Sequence, residues 1–171
     1  ITIDGNGEIL QGGGYFVIRL NGADYFTLDD LHVRNTRTGS SYQRCIWMNT
    51  SADYNTVKNC ELSMPNTYST DLASCYIGIT QSNSSAYSYG DPGQNIVIEN
   101  NYMHSALRRG PACGVLIVNE SSGSTIHKVA ILDNEIKEFY SYGIYGNYAN
   151  EANIVGNEIH NTGSYGHQSG T

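Results

Sequence analysis

One short pattern recurs along this chain, and a repeat constrains a fold before composition does. Its clearest copy is Ile98-Glu99-Asn100-Asn101-Tyr102-Met103: an apolar residue, a variable one, turn residues rich in Asn, another variable one and a second apolar one. Copies run from Leu28 to Val33, Val57 to Leu62, Ile131 to Ile136 and Ile154 to Ile159. Their first apolar residues, 28, 57, 98, 131 and 154, are spaced 29, 41, 33 and 23 residues apart. That range suits one coil of a solenoid with insertions in some loops. Each copy is too short and too rich in Asn and Gly for a helix and reads as two alternating strands joined by a tight turn. Asn and Gly suit such a turn because they accept a left-handed backbone cheaply. Stacked coils bring equivalent residues about 4.8 Å apart, so Asn101, Asn134 and Asn157 should form an internal ladder. Leu31 and Cys60 hold the same column in earlier coils.

A second set of columns follows the same period. Runs starting at Phe16, Cys45, Cys75, Cys113 and Tyr142 align, with Ile18, Trp47, Ile77, Val115 and Ile144 as the expected inward set. The triplet Ala-Asp-Tyr at 23–25 returns at 52–54, again 29 residues on. The expectation is an all-β solenoid of about six coils. It forms one β-helix segment over 1–171, part of a longer β-helix, with a loop insertion over 80–93. Flanking coils of the same chain would cover its ends, which carry no sign of a cap. The first residues already read as a strand, so a targeting segment would lie upstream or have been removed.

Charged residues make up 15% of the chain and the net charge is −7, which leaves no basic stripe for nucleic acid. No apolar run approaches the roughly 20 residues that span a bilayer. The four cysteines contain no C-x-x-C, so no metal pattern is read from them. Cys45, Cys75 and Cys113 are expected in one inward column, either as small buried residues or with one disulfide between neighbours.

Thr2-Ile3-Asp4-Gly5-Asn6-Gly7, Asn55-Thr56-Val57-Lys58-Asn59-Cys60, Ile98-Glu99-Asn100-Asn101 and Val155-Gly156-Asn157-Glu158-Ile159 resemble the right-handed parallel β-helix repeats of the pectin-lyase-like superfamily. More narrowly, they resemble β-helix regions of large bacterial surface proteins exported by the type IX secretion route. The resemblance implies a right-handed parallel β-helix, and it implies an extracellular or cell-surface location. It does not choose among lyases, hydrolases, adhesins and stalks.

After the Asn turn, the outward residues fall into two columns: His32, Glu61, Tyr102, Glu135, Glu158, and beside it Arg34, Ser63, His104, Lys137, His160. Lyases of the superfamily use a basic residue to take a proton α to a uronic carboxylate that Arg or a metal neutralises. By that resemblance Lys137 or His104 would be the base, and Arg108 or Arg109 the neutraliser. The alternative is charge pairing across strands of a solvated sheet. The superfamily's arginine and hydrolase motifs are not reproduced; Arg108-Arg109-Gly110-Pro111 has the residues in another order. No resident cofactor or metal is expected. Asp4, Asp29 and Asp30 near turns offer the one opening for calcium, against a structural turn role. On the other strand, Ile46, Tyr76, Gly114 and Gly143, and next to them Arg19, Met48, Gly78, Leu116 and Tyr145, are expected outward. That face would be apolar, with Tyr76, Tyr145 and Met48 placed to stack on sugar rings or to lie under the 80–93 loop.

Two readings follow. One is a secreted or cell-surface structural or adhesive stalk that binds polysaccharide or other surface components weakly and has no catalytic role. The other is a polysaccharide lyase or glycoside hydrolase.

Overall fold

In the computed structural model the chain is a parallel β-helix. The structure describes all residues except 40, 66, 83, 86–89, 107–109, 119–127 and 161–171. Three parallel sheets run the length of the solenoid. The first stacks β1 (Thr2–Asp4), β4 (Thr27–Asp29), β7 (Thr56–Lys58), β10 (Ile96–Glu99), β13 (Val129–Leu132) and β16 (Ala152–Val155). The second, the ladder sheet, stacks β2 (Ile9–Gly12), β5 (His32–Asn35), β8 (Glu61–Ser63), β11 (Tyr102–His104), β14 (Glu135–Lys137) and β17 (Glu158–His160). The third stacks β3 (Ile18–Asn21), β6 (Arg44–Asn49), β9 (Cys75–Thr80), β12 (Cys113–Val118) and β15 (Tyr142–Asn147). Among the described residues this makes five three-stranded coils and two strands of a sixth.

Register follows the repeat. Leu28, Val57, Ile98, Ile131 and Ile154 pair in one column. Val33, Leu62, Met103 and Ile136 line the ladder sheet's inner face, and Ile46, Ile77 and Val115 close the triangle from the third sheet. All of these except Ile154 are fully buried. Ile3 and Ile154, on the first and last strands of the first sheet, are 45% and 49% exposed.

The corner between the first and ladder sheets explains the Asn-rich signature. Asp30, Asn59, Asn100, Asp133 and Gly156 all have φ between 50° and 72°, the left-handed region that Asn, Asp and Gly enter most easily. The next residue turns inward. Asn101 Nδ2 donates to Asn134 Oδ1, and Asn134 Nδ2 to Asn157 Oδ1, both at 2.9 Å. Asn101 Oδ1 takes the backbone N–H of Cys60 at 3.0 Å, where the ladder stops. An outer file runs parallel to it: Asn100 donates to Asn59, and Asn59 to Asp29. The Ala-Asp-Tyr repeat marks another corner. The Asp53 N–H bonds Asp24 Oδ1, and the rings of Tyr25 and Tyr54 stack 4.8 Å apart.

The third sheet departs from the expected register in two ways. Ile46 pairs with Ile18 and Ile77, and Trp47 pairs with Arg19 and Gly78. Ile46 and Met48 therefore point inward and Trp47 outward. The alignment from Cys45 was one residue out, which reverses the faces of that strand. The sheet also begins with two successive residues in the core, Cys45 with Ile46 and Tyr76 with Ile77, so strict alternation fails there. Cys45 is inside, whereas Cys75 and Cys113 lie in a second apolar cluster on the outer side. The three do not form one stack. Arg44 occupies the place in the column next to Cys75.

Candidate functional site

The outer face of the third sheet is covered over its three middle strands, β6, β9 and β12, and exposed at Arg19 and Tyr142 on the end strands, which corrects its reading as a continuous sugar-stacking surface. Tyr76 and Met48 are fully buried in the core. The Tyr76 hydroxyl reaches two coils along the axis and donates to the carbonyls of Lys137 and Glu138 at 2.9 and 3.1 Å. Gly114 and Gly143 also face inward; a Cβ on either would lie within 2.4 Å of Ile136 or Ile159. Tyr145 does point outward, but it packs half-buried against the cluster of Cys75, Cys113, Leu116 and Val118.

The ladder sheet keeps an open outer face. Its two outward columns are those read from the sequence, since His32 pairs with Glu61, Glu61 with Tyr102, Tyr102 with Glu135 and Glu135 with Glu158. One Glu61 oxygen receives two imidazoles, His104 Nε2 at 2.8 Å and His32 Nε2 at 3.3 Å. His32 Nε2 also lies 2.8 Å from Ser63 Oγ. Tyr102 stacks on the His104 ring with centroids 4.6 Å apart. Lys137 Nζ lies 5.1 Å from the Tyr102 centroid and is ion-paired with Glu135. His160 meets Glu158 at 3.3 Å. His32, Arg34, Glu61, Ser63 and His104 line a cleft of about 310 Å³ beside this stripe.

The electrostatics limit what this face does chemically. The Glu135 hydrogen bond holds the Lys137 ammonium above the ordinary lysine range, the wrong direction for a general base. Burial lowers the pKa of His32 despite the opposing pull of Glu61. Ser63 and Glu61 both meet the same nitrogen of His32, so they cannot act on opposite sides of that ring as a nucleophile–imidazole–carboxylate relay requires. His104 does stand beside a concave space together with Arg34. Arg108 and Arg109 lie outside the described residues.

For metals, the ligand atoms of Glu135, Glu158 and His160 lie within 4.8 Å of one another; Glu135 already holds Lys137. Asp29 is occupied by Lys58 at 3.0 Å and Asn59 at 2.7 Å, and Asp4 accepts the N–H of Asn6 in its own turn. Those contacts give both a structural role. Among the described residues no helix is long and apolar enough to cross a membrane, which does not bear on β-barrels.

Sequence reasoning missed the convergence of both imidazoles on Glu61. His32 and Glu61 share a column, but His104 reaches back diagonally from the next column and the next coil. The signal was the i, i+2 spacing of the two columns, read across three copies of the repeat. Comparison with family models, curated proteins and solved structures returned no match.

Proposed function

We propose that this β-helix is a rigid secreted or cell-surface stalk that engages polysaccharide weakly along the outer face of the ladder sheet, without cleaving it. The observation that carries the reading is the state of that face. Glu61 holds both His104 and His32, Tyr102 stacks on His104 and lies under Lys137, and the lysine that would serve as base is ion-paired with Glu135 and held protonated. Such a surface offers hydroxyl-binding groups and an aromatic plate, and its lysine is shifted away from base chemistry. Arg34 and Lys137 stand against Glu61, Glu135 and Glu158 on this face, and the chain carries −7 overall. That balance favours an uncharged polysaccharide over an anionic one. The resemblance to pectin-lyase-like repeats and to bacterial surface β-helices supports the extracellular setting. The exposed Ile3, Ile9 and Leu10 at one end, and Ile154, Val155 and Ile159 at the other, support flanking coils as partners.

A second reading, lyase or hydrolase, is favoured by one observation: His104, Glu61 and Arg34 share a cleft. One assay separates them. The protein is incubated with pectate, alginate, chondroitin and uncharged glucan and xylan, with and without calcium, following unsaturated product and reducing ends. The stalk reading expects no product from any of them, and retardation of the protein in gels holding an uncharged polysaccharide. Product that disappears in His104→Ala or Lys137→Ala would replace it with the enzymatic reading.

A further inference from the structure

We propose that Cys75 and Cys113 form a peroxide-sensitive dithiol, a modification site on the covered outer face of the third sheet that closes to a disulfide between adjacent coils. The two residues are direct register partners on β9 and β12. Neighbouring parallel strands place their Cα atoms about 4.8 Å apart, inside the range of roughly 4.4–6.8 Å that a disulfide bridges. Both are free thiols and fully buried.

The third member of the column makes this pair unlike a stack of inert cysteines. Arg44 pairs with Cys75 on the other side and is itself fully buried. Its guanidinium is aimed by three contacts: Nε donates to Ala73 O at 3.0 Å, Nη1 to Thr80 Oγ1 at 2.8 Å and Nη2 to Ser82 O at 3.1 Å. Gly78 makes room for it, since a Cβ there would come within 2.9 Å of Arg44 Nε. Burial alone raises a thiol's pKa. At Cys75 burial is opposed by the neighbouring Cys113 thiol and the Arg44 charge, and the net shift is downward. Cys113 shifts the other way, raised by the neighbouring Cys75 and by burial, and its thiol donates to the carbonyls of Leu72 and Ser74 at 3.2 and 3.8 Å. One nucleophilic sulfur beside one protonated sulfur is the arrangement of an attacking and a resolving thiol. Cys45 and Cys60 lack it: burial raises both.

The oxidant is a hydroperoxide, the smallest being hydrogen peroxide, little larger than water. Half-buried Leu72 packs against the two cysteines, its carbonyl 3.2 Å from Cys113 Sγ. The Cys75 thiolate attacks one peroxide oxygen. An S–O bond forms, the O–O bond breaks, and the departing hydroxide takes a proton and leaves as water. Cys113 sulfur then attacks Cys75 sulfur. The S–S bond forms, the S–O bond breaks, and the hydroxyl leaves with the Cys113 proton as a second water. Two thiols and one peroxide give one disulfide and two waters.

The test treats native protein with hydrogen peroxide, blocks remaining thiols with N-ethylmaleimide after unfolding, and maps peptides without reduction. The proposal expects a Cys75–Cys113 crosslink, with Cys45 and Cys60 alkylated, and a melting temperature raised by about 5 °C or more. In Cys113→Ser, dimedone should trap a sulfenic acid on Cys75. Arg44→Lys, with its fold checked by circular dichroism, should slow crosslinking about tenfold or more. Four alkylatable thiols after native peroxide treatment would overturn it. So would crosslinks that involve Cys45 or Cys60 as readily, or oxidation only after denaturation.

Discussion

Asn134 and Asn157, one coil apart and 23 residues apart in sequence, are joined by two hydrogen bonds to a single atom. Asn157 Oδ1 takes the Asn134 backbone N–H at 3.0 Å and its side-chain amide at 2.9 Å. Asn134 Oδ1 does the same for Asn101. Its Nδ2 also reaches the carbonyls of Ile98 and Leu132. The ladder thus satisfies backbone groups at a corner where sheet pairing has stopped.

Replacing Asn134 with Leu removes, in a buried corner, the acceptor of both the Asn101 N–H and the Asn101 side-chain amide, and takes a second donor from the Leu132 carbonyl, which keeps the Asn100 N–H. The expected loss is about 2–4 kcal/mol, at roughly 1–3 kcal/mol per unsatisfied group and partial relaxation. Urea denaturation measures it, and hydrogen exchange should rise first in β13 and β14 because a solenoid loosens locally. The same change at Asn157, at the more exposed end of the file, should cost less.

Gly114→Ala should destabilise strongly, because the new Cβ would meet Gly143 O and Ile136 Cγ2 at 2.4 Å. A cost of about 2–3 kcal/mol is expected from overpacking. Gly7→Ala is the contrast: it meets open space but sits at φ 75°, so its cost should be about 1 kcal/mol, from the backbone alone. Thermal melts of the two variants separate packing from conformation.

His32 gives a pH dependence with a definite sign. Its folded pKa lies below the ordinary 6.5, with burial the main cause. The unfolded chain therefore binds the proton more readily. Its contribution is complete above about pH 6.5 and is lost as pH falls through the lower folded value. Urea midpoints measured from pH 7.5 down to 5 should decline through that window, and His32→Gln should flatten the decline.

The coil register of the first and ladder sheets was legible because their inner residues alternate strictly, so one pattern fixed phase across five copies. The Asn ladder followed from the same phase. The third sheet was not legible in full. Two successive inward residues at its start break the period of two, and the Cys45 run, aligned by its cysteine, hid a one-residue shift. Arg44 broke the cysteine column for a reason no local pattern carries: its guanidinium bonds to segments 29 to 38 residues further on. Of the candidate site, both outward columns were readable. The pairing within them was not, because it depends on rotamers that cross between coils.

The central claim is that the ladder sheet binds polysaccharide and does not cut it. Affinity electrophoresis through gels holding an uncharged glucan or xylan tests it most directly, comparing wild type with Tyr102→Ala and with Tyr25→Ala at a far corner. The account predicts retardation of wild type and Tyr25→Ala, and a dissociation constant about tenfold weaker for Tyr102→Ala, equal to about 1.4 kcal/mol. Equal retardation of all three proteins, or a gel polysaccharide shortened by wild type but not by His104→Ala, would contradict it.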